Sequence, residues 1–69
     1  MLTLKISRNN TAELLGPFKT ERDLVMERSS LIKTYNYDRK HGFNRENHGN
    51  MIVYKHTVYT SIVFETMRG

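Results

Sequence analysis

Cysteine is absent from this sequence, and so is any apolar run approaching the roughly 18 residues that a membrane span needs. The first absence excludes disulfides and thiolate zinc sites, and the second excludes a helix crossing a bilayer. Proline occurs once and glycine four times, so the chain is neither collagen-like nor a low-complexity linker. Also missing are a glycine-rich phosphate loop opening a helix, a nucleophile elbow, and a pair of acidic residues facing a pocket from one helix. Met1 to Ile6 alternate apolar and polar residues and form no apolar h-region. The expectation is therefore a chain without a secretory signal, cytoplasmic in location, on which the sequon Asn9-Asn10-Thr11 goes unused.

What is present is the composition of a folded domain, with 38% hydrophobic and 10% aromatic residues in 69 positions. A chain of this length forms one domain, 1–69, and buries only about 60% of the surface its unfolded form exposes. Its core is thin. Small domains commonly compensate with disulfides, a metal or a second subunit; with no cysteine, oligomerisation is the leading candidate stabiliser.

The net charge of +4 is unevenly placed. Up to Glu27, Lys5, Arg8, Lys19 and Arg22 are balanced by Glu13, Glu21, Asp23 and Glu27. From Arg28 onward, seven basic residues stand against Asp38, Glu46 and Glu65. A one-sided positive field favours association with polyanions.

Leu2, Leu4 and Ile6 alternate with polar residues, the period of a strand with one buried face. Thr11 to Leu15 is expected to form a single helical turn ended by Gly16-Pro17. Thr20 as N-cap, with Glu21 and Asp23 in the first turn, predicts a helix over 21–35, its inward stripe running Leu24, Arg28, Leu31, Ile32, Tyr35. Arg28 interrupts that stripe, either as a stem over the core edge or as an anchor for an acidic partner. Residues 36–50 carry seven turn-formers and no periodicity, and are expected to be a long, mobile loop. Met51 to Met67 is dense in β-formers, with the even positions Ile52, Tyr54, Ile62 and Phe64 the more apolar. A single strand of that length would overrun so small a domain, so it either turns back as a hairpin or projects and pairs with a second copy. The fold class expected is α+β: strand, helix, long loop, then strand or hairpin, with one helix packed on a small antiparallel sheet.

The 36–50 segment interleaves rings and cations. Arg39, Lys40 and Arg45 are expected to contact phosphate and Tyr37 and Phe43 to stack on bases, with His41 among them, which points to RNA or DNA as partner. The histidines His41, His48 and His56 match no compact zinc pattern, and neither a metal nor another cofactor is expected. The ingredients of metal-free RNA cleavage are present in Tyr37, Arg39, Lys40, His41 and Glu46, but so small a chain has little room for a pocket that excludes water, and a non-enzymatic binding domain is the expectation. The alternative is a protein-interaction module using Met51, Val53, Lys55 and Tyr59 against an acidic protein surface, with a homodimer through the C-terminal strand as a further option. Compact proteins without catalytic apparatus resemble in kind, though in no motif, the phage-encoded inhibitors and modulators of host enzymes.

Overall fold

The computed structural model describes residues 1–58 and 60–68. Five antiparallel strands and one helix follow one another as β1 (Leu2–Arg8), β2 (Thr11–Phe18), α1 (Glu21–Thr34), β3 (Phe43–His48), β4 (Met51–His56) and β5 (Ile62–Arg68), with a short 3-10 turn at Arg39–His41 before β3. They form a single sheet in the order β2-β1-β5-β4-β3, crossed on one face by α1. The α+β class with a helix on an antiparallel sheet is therefore observed. Among the described residues no helix is long and apolar enough to cross a membrane.

Period-two patterning decides which face is dry. Leu2, Leu4 and Ile6 of β1, Ile52 and Tyr54 of β4, and Ile62 and Phe64 of β5 all point toward the helix and are buried, Leu4 and Phe64 almost completely (0% and 1% exposed). Leu24 of α1 closes this core, with Leu31, Ile32, Leu15, Phe18 and Phe43 packed around it. The pairing of Ile52 with Phe64 and of Tyr54 with Ile62 confirms that the turn-back option is the one taken. The five-residue connection 57–61 is odd in length, so it keeps the even positions on the same face of both strands. β5 is hydrogen-bonded to β1 on one side and β4 on the other. It has no free edge, so the projecting, exchangeable strand does not form in the single chain.

The helix starts where the sequence places it. The Thr20 hydroxyl accepts a hydrogen bond from the Asp23 N–H at 3.2 Å, and Glu21 and Asp23 occupy the positive end of the helix. It ends in a Schellman arrangement. Asn36 adopts a left-handed backbone (φ 57°), the Asn36 N–H donates to the Lys33 carbonyl and the Tyr37 N–H to the Ile32 carbonyl at 3.0 Å. That turn swings Tyr37 back onto the core instead of letting the helix run on.

Two expectations are corrected. Residues 11–15 are not a helical turn but the start of β2, which continues through Gly16 and Pro17. Proline lacks the donor an interior strand needs, yet β2 lies at the sheet edge, and the register shift between Leu2 and Leu4 absorbs the extra residue as a bulge. Residues 36–50 are not one long loop: Phe43–His48 is the opposite edge strand, joined to β4 by the two-residue turn Gly49-Asn50, in which Gly49 takes φ 71°.

Candidate functional site

α1 packs chiefly on β1 and β2; on the helix side of the sheet Ile52 and Tyr54 of β4 are still buried, while Arg45 and Asn47 of β3 are exposed. The result is a groove of about 340 Å³ between the helix and the β3–β4 hairpin. One wall is the helix, contributing Glu21 and Arg28; the other is the hairpin, contributing Asn47, Gly49 and Asn50. Ile52 of β4 and Thr66 and Arg68 of β5 lie between them. These positions share a face by register: Asn47 pairs with Ile52 and Arg45 with Tyr54, and residues directly opposite in an antiparallel pair project to the same side. Arg45 therefore stands on the helix side of β3, next along the strand from Asn47.

Arg28 sets the electrostatics of this groove. It is half-buried, and burial, followed by the nearby charge of Arg45, pushes its guanidinium below the ordinary arginine range; Tyr54 and Glu21 act weakly the other way. It stays cationic at neutral pH, because arginine titrates far above 7. Among the described residues no hydrogen bond or ion pair engages the side chain of Arg28 or Arg45. Arg68 is held by Glu21 at 3.5 Å, an exposed contact worth little in water. Arg28 and Arg68 thus line a small polar groove, with Glu21 the one carboxylate among its described lining residues, and the charge of Arg45 acts on Arg28 from β3.

The sequence-predicted residues divide into two groups. Arg39, Lys40 and His41 lie together on the exposed 3-10 turn that leads into β3. Asp38 caps that turn: its carboxylate accepts from the His41 N–H at 3.0 Å and lies 2.7 Å from His41 Nδ1. Those bonds, the side-chain contact first, hold the Asp38 carboxyl below the usual carboxylate range. Tyr37 and Phe43 belong to the second group, and their expected stacking on bases is not supported by where they lie. Tyr37 is 8% exposed and packs against Tyr35, Phe43, Tyr54 and Phe64, with its hydroxyl accepting from Arg8 at 3.2 Å. Phe43 is half-buried against the same cluster and meets His56 edge to face at 4.7 Å. The ring left partly open is Tyr35, whose face carries the Arg8 guanidinium at 5.0 Å.

The histidines do not converge. His56 ties two segments together: its Nδ1 accepts from the Val58 N–H at 3.0 Å, which leaves Nε2 to donate to the His41 carbonyl, also at 3.0 Å. His48 lies at the far end of β3, against Glu46 at 3.1 Å. Glu46 also holds Lys55 at 3.0 Å, and these two contacts, Lys55 first, depress its carboxyl. Among the described residues no three His, Asp or Glu side chains gather as a metal site would require.

Met51, Val53 and Lys55 lie on the sheet face away from the helix, where Val53 pairs with Val63 and Met51 with Glu65. Tyr59, the remaining candidate for protein binding, lies outside the described residues. Asn50, Thr66 and Arg68 carried no binding signal of their own in the sequence. The interruption of the helical stripe at Arg28, and Asn47 as one of the amides interleaved with the rings and cations of 36–50, pointed toward the groove.

The fold and groove define a small α+β domain with a basic cleft along one sheet edge. Compared with protein-family models, with curated proteins and with solved structures, the chain matches none.

Proposed function

We propose that this domain is a non-enzymatic binder of nucleic acid, with the groove between α1 and the β3–β4 hairpin as its contact surface. The observation that carries the reading is the pairing of Arg28 with Arg45. Two like charges are held near each other, one of them half-buried, with no hydrogen bond or ion pair to the side chain of either among the described residues, and Glu21, whose charge favours the Arg28 cation, is bonded to Arg68. An anionic ligand supplies that counter-ion, and a phosphate presents the geometry a guanidinium fork fits best. Arg68 extends the positive surface at one end of the groove, and Arg39 and Lys40 extend it beyond the start of β3. The excess charge of the chain after Glu27 supplies the long-range attraction. With Tyr37 and Phe43 committed to the core, phosphate contacts rather than ring stacking carry the affinity.

The test is fluorescence anisotropy of a labelled oligonucleotide at low salt. Non-specific protein–DNA affinities lie at about 10⁻⁴ to 10⁻⁶ M, so the titration must reach the upper end of that range. Binding that weakens steeply with salt, and is lost for all sequences alike in the Arg28→Glu/Arg45→Glu variant, supports the proposal. No change in anisotropy over the whole range overturns it.

A second reading, a protein-interaction module, draws on the sheet face opposite the helix, where Met51, Val53 and Val63 are half-buried and Leu14 and Met67 are exposed. Affinity capture from nuclease-treated extract discriminates the two. A stoichiometric protein that survives treatment and is lost with Val53→Glu favours this reading over the first.

A further inference from the structure

We infer that the groove admits single-stranded nucleic acid, about one nucleotide at a time, in preference to a duplex. This rests on the reading of the groove as a nucleic-acid surface. Its volume of about 340 Å³ lies at the lower limit of small-ligand pockets, which run from about 300 to about 1,000 Å³. It is walled on both sides, by the helix and by the hairpin. Arg28 is half-buried on the helix wall, so a phosphate that reaches it has to descend between the walls. A flexible single strand can place one phosphate there. A duplex, with its phosphates spaced on a rigid cylinder, meets the exposed Arg45 and Arg68 at the rim and leaves Arg28 uncontacted.

The remaining lining suits an unpaired nucleotide. Asn47 offers an amide that makes no other hydrogen bond among the described residues, and the Asn50 amide nitrogen spans to the Thr66 carbonyl at only 3.4 Å, leaving its oxygen able to accept. Amides of this kind hydrogen-bond the edges of bases that are not already paired. The wall near the hairpin turn is thin, because Gly49 has no side chain and a Cβ built there would meet nothing within 4 Å. Glu21 is the one carboxylate among the described lining residues, and it is held by Arg68.

The experiment compares a labelled single strand of about 12 nucleotides, a length within the span that small single-strand-binding folds cover, with a blunt duplex of the same sequence. The expected result is single-strand binding about tenfold tighter than duplex, comparable to the effect of one well-made base contact. Arg28→Met and Asn47→Ala should each remove most of that preference. Circular dichroism of both variants verifies their folding, and Arg28→Lys, which keeps the charge, should retain part of the preference. Equal or tighter duplex binding overturns this inference and leaves nucleic-acid binding intact. Failure of both probes to bind overturns the proposed function and this inference with it.

Discussion

Exchanging Arg28 for methionine keeps an unbranched stem over the edge of the core and removes the guanidinium. In the free protein that group is partly desolvated and repelled by Arg45, which together outweigh the attraction of Tyr54 and Glu21, and it is engaged in no hydrogen bond or ion pair among the described residues, so its loss should stabilise the fold. A charge contact at a half-exposed position is screened to about 0.2–1 kcal/mol. Taking about 0.5 kcal/mol, and about 4–8 °C of melting temperature per kcal/mol for a domain of this size, Tm should rise by about 2–4 °C. Binding should move the other way. If Arg28, Arg45 and Arg68 each neutralise one phosphate of a single strand, the log–log salt slope is about −2.1, and about −1.4 with one arginine gone. Raising salt from about 50 to about 200 mM then weakens the wild type about 18-fold and the variant about 7-fold. Thermal melts followed by circular dichroism, and anisotropy titrations at four or more salt concentrations, read both quantities. An unchanged slope, or a Tm that falls instead of rising, would refute the reasoning.

Three further perturbations probe the frame that holds the groove. Gly42→Ala places a Cβ about 2.7 Å from His56 Nε2 at a backbone φ of 89°. The left-handed conformation alone costs about 1–2 kcal/mol, so a lower urea midpoint with an unchanged m-value is expected, and an unaltered midpoint contradicts the account of that turn. Phe64→Ala removes a ring that is 1% exposed at the centre of the sheet, at a cost of about 3–5 kcal/mol. A domain of 69 residues has only about 3–10 kcal/mol in total, so this variant should show non-cooperative or absent thermal unfolding. Asp38 has its carboxyl pKa depressed in the folded state by its bonds to His41. Its contribution is therefore fully present above the unfolded carboxyl range near pH 4 and is lost as pH falls through the lower folded value. Asp38→Asn should be less stable than wild type at pH 7, with the two converging as pH falls below the unfolded carboxyl range in chemical unfolding; a gap that persists in strong acid excludes the carboxylate as its cause.

The parts of the fold that were legible in the sequence are those with a wet side and a dry side. Leu2, Leu4 and Ile6 alternate because β1 is buried on one face only, and the helix announces itself through Thr20, Asp23 and the stripe at Leu24, Leu31 and Ile32. The two edge strands have no such contrast. Phe43–His48 is exposed at four of its six positions, so its composition reads as loop even though Gly49-Asn50 is a hairpin turn in plain view. Thr11–Phe18 contains Gly16-Pro17, which breaks an interior strand but is tolerated at an edge. The groove was half legible for the same reason. Arg28 showed as a misfit in an apolar stripe, but its partner Arg45 becomes apparent only once β3 is registered against β4 with Arg45 opposite Tyr54. The burial of Tyr37 was not legible because nothing local reveals that the left-handed Asn36 turns the chain inward.

The placement of β5 bears on how this protein comes into being on the ribosome. Before Ile62–Arg68 has been synthesised, the growing chain holds one hairpin with a helix and a second hairpin, with no strand common to both. Each alone is marginal in water, because two strands bury too little apolar surface. β5 supplies Ile62 and Phe64 to the core and joins the two halves into one sheet. Its pairing with β1 spans nearly the whole chain, a contact of high sequence separation that closes slowly. Assembly of the five-stranded sheet thus waits until translation has passed β5, and a chain that stops before residue 62 cannot form a sheet across its two halves.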